Sequence, residues 1–193
     1  MFDTIYLILI IFILYIYKNS NESEVILTEA FDNGEAYLVR NVLTKKEAAN
    51  MLHLIKKSLI KLVNQIIDDN SLKKHKFYNY VKKINQKLKT VKIRESSPKS
   101  IYTSYSVNKG EELVFCIRSK LTNDIHDLND LLYVAIHEIA HIGCPEVGHT
   151  ELFKDINLFL LEKSVTYNIY KYNDYHKKPI EYCGIDIKST ILP

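Results

Sequence analysis

Two histidines four residues apart in one apolar stretch, Val134-Ala135-Ile136-His137-Glu138-Ile139-Ala140-His141, constrain this chain more than any other feature. Residues four apart on a helix share one face, so both imidazoles can address a single cation while Glu138 stands beside them. A buried helix carrying these polar groups needs partners for them, and a metal ion is the most economical one. Two neutral imidazoles leave such an ion its two unit charges, enough to acidify a bound water whose proton the adjacent carboxylate can take. A third ligand is still required. His149 supplies a candidate, beyond Gly143-Cys144-Pro145, where the backbone must leave the helix and can turn back.

The flanks fit a helix in this place. Asp127 can cap its start, Leu128, Leu131, Leu132, Ala135, Ile136 and Ile139 give it a broad apolar surface, and Gly143 stops it shortly after His141. Thr150 can cap a further helix through Leu152, Phe153, Ile156, Phe159, Leu160 and Leu161, which holds the preceding His149 firmly. Asp155 or backbone carbonyls would orient the ligand rings. Cys144, in the loop between ligands, reads as packing; the alternative is a fourth ligand that silences the site.

At the other end, residues 5–17 run Ile-Tyr-Leu-Ile-Leu-Ile-Ile-Phe-Ile-Leu-Tyr-Ile-Tyr without a charge. So uniform a run has no polar face to turn to water, and neither a basic start nor a small-residue cleavage site marks a signal peptide. Residues 1–18 are therefore expected to form an uncleaved transmembrane anchor. Asp3 before it and Lys18 after it place the bulk of the chain on the cytoplasmic side. With 193 residues, 47% of them hydrophobic, the rest (19–193) can build one core and is too short for two full domains.

The net charge of +3 demands no nucleic-acid partner, although lysines crowd residues 45–99 and their helical faces could meet nucleic acid or anionic lipid. A solvated surface is the simpler reading. Cys116, Cys144 and Cys183 form no spaced cluster, and an odd count fits reduced thiols in the cytosol.

Between these features the pattern alternates. Val25-Ile26-Leu27 and Ala36-Tyr37-Leu38-Val39 read as a hairpin around Asp32-Asn33-Gly34. Thr44-Lys45-Lys46-Glu47 has the form of a capping box, and an apolar stripe from Ala48 to Ile66 carries a long helix to Asp68. A second, more basic helix ends near Leu88. A second hairpin turns at Asn108-Lys109-Gly110, between residues 103–107 and 112–118. The expected fold class is α+β, a small antiparallel sheet or hairpin packed on helices. A strand edge beside the metal can hold an extended peptide by main-chain hydrogen bonds.

His137-Glu138-Ile139-Ala140-His141, followed after seven residues by His149-Thr150-Glu151-Leu152-Phe153, resembles the zincin metallopeptidases of the WLM and SprT group. That stretch, with Tyr37-Leu38-Val39-Arg40-Asn41, Glu47-Ala48-Ala49, Ser104-Tyr105-Ser106-Val107-Asn108-Lys109-Gly110 and Tyr182-Cys183-Gly184, is similar to a metallopeptidase-like family of giant DNA viruses and of some algae and protists. The resemblance implies a zincin-like domain, one Zn²⁺ held by His137, His141 and His149, and Glu138 as general base. The WLM and SprT group is associated with proteolysis of proteins crosslinked to DNA. The apolar N-terminal run, and the lack of a visible zinc ribbon or other DNA-binding module after the catalytic part, depart from that pattern.

The leading expectation is a membrane-anchored zinc peptidase acting on a protein or peptide substrate, in a viral or host membrane if the viral resemblance holds. Tyr175, His176 and Tyr182 are the candidates for stabilising the transition state. The alternatives are a catalytically silent, membrane-anchored scaffold, for example of a virion, and a DNA-associated protease of the crosslink-repair type.

Overall fold

The computed structural model describes Tyr6 and residues 8–13, 24–31 and 34–192. Five strands, β1 (Val25–Glu29), β2 (Ala36–Arg40), β3 (Lys92–Glu95), β4 (Tyr105–Val107) and β5 (Glu112–Phe115), form one sheet in the order β1-β2-β3-β5-β4. The helices α1 (Lys45–Asp68), α2 (Tyr78–Leu88), α3 (Leu128–Gly143) and α4 (Glu151–Thr166) accompany it. A separate hairpin, β6 (Ile180–Tyr182) and β7 (Ile185–Ile187), follows. The fold class is α+β, as the alternation of patterns indicates.

The apolar stripe of α1 is fully used: Ala48, Ala49, Leu52, Ile55, Leu59, Leu62, Val63 and Ile66 are all buried. Val81, Ile84 and Leu88 of α2 join them. Each fully buried Leu or Ile contributes about 1.5–3 kcal/mol, so this helical layer is the main support of the sheet. It also sets the topology. The chain leaves β2, passes through α1 and α2, and returns as β3 parallel to β2, a pairing that needs a crossover of this kind.

The sheet is therefore mixed rather than antiparallel. β1 pairs antiparallel with β2 and β4 with β5, while β2–β3 and β3–β5 are parallel. The strand that corrects the expectation is β3, only four residues long, in which Lys92 and Arg94 alternate with buried Ile93 and Glu95. Glu95 is wholly buried because two arginines claim it: Arg118 Nε lies 2.7 Å from Oε1, and the Arg40 N–H donates to Oε2 at 2.7 Å. Arg118 then donates from Nη1 to Thr44 Oγ1 at 2.7 Å and from Nη2 to Thr44 O at 3.1 Å. Thr44 precedes α1 but makes no side-chain cap, so the capping box is not formed; its hydroxyl accepts from Arg118 instead.

Two further expectations are corrected. Among the described residues no helix is long and apolar enough to cross a membrane, which overturns the transmembrane anchor of residues 1–18 and the single-pass placement built on it. Within that segment Tyr6 and residues 8–13 are helical and exposed; the other residues of the segment lie outside the described ones. The cysteines are not all reduced. Cys116 and Cys183 form a disulfide across a sequence separation of 67 residues, and Cys144 alone is free and buried.

Candidate metal centre

The metal helix α3 begins where Asp127 accepts a hydrogen bond from the Asn129 N–H at 2.8 Å. It ends against α2: a Cβ on Gly143 would lie 2.9 Å from Ile84 Cδ1, so any larger residue would force Ile84 or the helix to shift. Gly143 is thus the last helical residue, present for packing, and the chain turns extended at Cys144. Lys109, from the β4–β5 turn, donates to the carbonyls of Cys144 at 2.8 Å and Glu146 at 2.5 Å, holding the returning segment. Thr150 caps α4 by accepting from the Phe153 N–H, and His149 sits immediately before that cap.

These elements bring three imidazoles together. His149 Nε2 lies 3.1 Å from His137 Nε2 and 3.2 Å from His141 Nε2. Three Nε2 atoms of one tetrahedral zinc stand about 3.3 Å apart, given Zn–N bonds of about 2.05 Å, so the donor set fits a single such ion. Among the described residues this trio is the group that could hold a metal ion. Phe153 packs under it, stacked on His141 with ring centroids 4.1 Å apart and edge-on to His137 at 4.9 Å.

Burial, and then the neighbouring histidines, hold His137 down to about 4; burial, His149 and the Lys109 ammonium do the same for His141. Both rings are therefore neutral and present lone pairs at neutral pH. Glu138, 5% exposed, is pushed up to about 7 by burial, which a hydrogen bond from the Ser106 backbone partly offsets. That bond ties the carboxylate to the middle of edge strand β4.

The site opens into a cleft of about 610 Å³. Thr103, Ser104, Tyr105 and Ser106, Tyr133, Val134 and the histidines, and Tyr182, Ile185 and Ile187 from the β6–β7 hairpin line it. Of the three candidate transition-state residues, only Tyr182 lines it. Tyr175 is buried elsewhere, bonded to Asp130 at 3.0 Å, and His176 is exposed outside the cleft. Asp155 pairs with Lys76 at 3.4 Å rather than with a ligand ring. Cys144 is buried in the core and is not part of the histidine group, as its reading as packing implies. Ser104, Lys109 and Tyr133 carried no site signal in the sequence. Hairpin spacing marks a turn at Lys109 but not where its ammonium reaches.

No protein-family profile matches the chain. It is 38% identical over 186 residues to the uncharacterized protein R325 of Acanthamoeba polyphaga mimivirus, covering 96% of this chain and 94% of that one. A shorter match, 38% over 69 residues, covers 35% of this chain and 38% of the uncharacterized protein 136R of Invertebrate iridescent virus 6. Another, 33% over 84 residues, covers 42% of this chain and 50% of the uncharacterized protein 042R of Invertebrate iridescent virus 3. Among solved structures, Wss1 from Saccharomyces cerevisiae is similar over 67% of this chain and 87% of that one, at 15% identity and a TM-score of 0.46. That likeness is too loose to transfer fold or chemistry. At its identity and coverage the mimivirus match is decisive: the chain belongs to the family of viral proteins that includes R325.

Proposed function

We propose that this protein is a zinc-dependent peptidase. The observation that carries the reading is the convergence of His137, His141 and His149 in one cleft with the buried carboxylate of Glu138 and the edge strand β4. A zinc ion on the three histidines would supply Lewis acidity to a water and to the scissile carbonyl. Glu138 takes the proton that the attacking water loses and later delivers it to the leaving amine. Its Ser106 tether keeps the carboxylate at the cleft face of β4. An extended substrate adds to the free edge of β4 through main-chain hydrogen bonds, with little demand on its side chains. The Tyr182 phenol, which lines the same cleft, is the proposed donor to the developing oxyanion. The resemblance to the WLM and SprT group supports the same assignment.

The test compares the full chain with Glu138→Gln for bound zinc and for cleavage of an unfolded protein substrate. Both are expected to hold about one zinc, and only the wild type is expected to cut. Zinc binding with no cleavage under any condition favours the scaffold reading; a folded protein that takes up no zinc ends the proposal.

One observation favours the DNA-associated variant of this reading. Lys73, Lys74, Lys76, Lys82, Lys83, Lys87, Lys89 and Lys92 follow one another with no intervening Asp or Glu. Among the described residues only Lys76 of these pairs with a carboxylate. DNA binding whose affinity falls steeply with salt, and cleavage stimulated by DNA, would select that variant. Cleavage indifferent to DNA removes it.

A further inference from the structure

The hairpin that brings Tyr182, Ile185 and Ile187 to the cleft is attached in an unusual way. Among the described residues β6 and β7 pair only with each other, and the turn joining them is Cys183-Gly184, both left-handed at φ 53° and 86°. A two-residue turn of this kind favours Asn-Gly, because both positions need positive φ, which glycine adopts freely and asparagine tolerates better than most side chains, cysteine included. A cysteine holds the position here, with its sulfur buried and bonded to Cys116 at the end of β5.

The same two residues meet a second time through polar groups. Cys116 N–H donates to Ser104 Oγ at 3.1 Å, and Ser104 Oγ is 2.6 Å from the hydroxyl of Tyr182, the residue before Cys183. Disulfide, peptide bond, phenol and serine hydroxyl thus close a ring that starts and ends at Cys116. The Cys183 N–H adds a bond to His126 Nε2 at 3.3 Å, and the His126 ring lies 5.3 Å from that of Tyr182. Tyr182 is 2% exposed, and the Glu138 charge adds to burial in opposing ionisation of its phenol, so this ring delivers a neutral O–H donor beside the general base.

We propose that the Cys116–Cys183 disulfide is a latch that positions Tyr182 and the β6–β7 wall, so that the cleft keeps its working shape only while this pair is oxidised. The two cysteines act through Tyr182 and are positioning residues. The consequence for turnover rests on the peptidase reading; the consequence for the hairpin does not.

The latch opens when a trialkylphosphine reduces the pair. The S–S bond breaks, each sulfur ends as a thiol, and the phosphorus gives up two electrons and takes an oxygen from water as phosphine oxide. Because the disulfide is buried and reduces slowly, the variant Cys116→Ser with Cys183→Ser reaches the open state without reagent.

Amide hydrogen exchange of residues 180–187 is expected to quicken by about tenfold or more in both preparations, with α3 still protected and zinc content unchanged. Cleavage is expected to fall by roughly a hundredfold in kcat/KM, through a higher KM as well as a lower kcat. Tyr182→Phe, with its disulfide intact, lowers kcat while KM holds. The proposal is overturned if the hairpin stays protected after reduction, or if it loosens while kcat/KM is unchanged. If the double variant does not fold, the reduced wild type decides. If oxidised wild type cuts nothing, the peptidase reading fails, and the latch is judged on exchange of the hairpin alone.

Discussion

Lys109 Nζ lies 2.8 Å from the main-chain oxygen of Cys144 and so joins the β4–β5 turn to the segment that returns His149 to the metal helix. The turn is built for this reach. Asn108, Lys109 and Gly110 all have positive φ, at 46°, 54° and 98°, and a Cβ on Gly110 would come within 3.1 Å of Ile142. The ammonium meets two carbonyls just beyond the C-terminal end of α3, close to where the helix dipole concentrates negative charge. Edge strand β4 and the loop that carries His149 are thereby one mechanical unit.

Lys109→Met removes that ammonium while keeping most of the stem. Zinc affinity is expected to fall by about 10–100-fold, the range for losing a group that orients a ligand, with secondary structure retained. Lys109→Arg is expected to recover most of the loss. Competition against a chromophoric chelator measures both, and an unchanged affinity in the methionine variant means that His149 is held without Lys109.

The metal-free protein should have a distinctive pH profile. Folding depresses His137 and His141 from 6.5 to about 4, so their contribution to stability is present above pH 6.5 and lost as pH falls through 4. Folding raises Glu138 from 4.5 to about 7, so its contribution is present below 4.5 and lost as pH rises through 7. Between 4.5 and 6.5 unfolding takes up two protons on histidine and releases one from Glu138, a net uptake of about one proton. Stability should therefore rise with pH across that window, by somewhat less than about 1.4 kcal/mol per unit because His141 is partly exposed. Chemical denaturation of chelator-treated protein at three pH values tests this; a flat or falling profile contradicts it.

The buried charges of Arg40, Glu95 and Arg118 give a third expectation. Glu95→Gln leaves two guanidinium groups buried without their counter-charge, a change that typically costs about 3–5 kcal/mol. Because the trio joins β2, β3, the segment after β5 and the start of α1, the loss should be global. A single cooperative transition displaced to lower denaturant is expected, and a shift below about 1 kcal/mol would show that hydrogen bonding alone supports this junction.

How far the chain could be read in advance depended on the reach of each interaction. The histidine trio was legible because the i, i+4 spacing and a break before His149 are local facts, and so were α1 and the two sheet hairpins. β3 was not: its four residues carry two positive charges outward, and the reason Glu95 can be buried lies in Arg40 and Arg118, remote in sequence. Thr44 misled for the same reason, since a capping pattern cannot reveal that Arg118 takes the hydroxyl. Cys116 and Cys183 gave no spacing signal because their pairing depends on where the β6–β7 turn docks.

Gly143 tests the packing that sets the metal helix in place. Its φ is ordinary for a helix, so Gly→Ala should gain about 1 kcal/mol of helix propensity if nothing stood in the way. Ile84 does stand in the way: its Cδ1 and Cγ1 would be 2.9 and 3.1 Å from the new methyl group, and Ile84 is fully buried. Overpacking of this kind costs about 1–3 kcal/mol, so Gly143→Ala is expected to destabilise the protein by up to about 2 kcal/mol net. It should also weaken zinc binding, because the displaced end of α3 carries His141. Ile84→Val removes Cδ1, and the double variant Gly143→Ala with Ile84→Val should be more stable than the sum of the single effects. Additive effects, or a stabilising Gly143→Ala, would mean that α2 and α3 can separate there without cost.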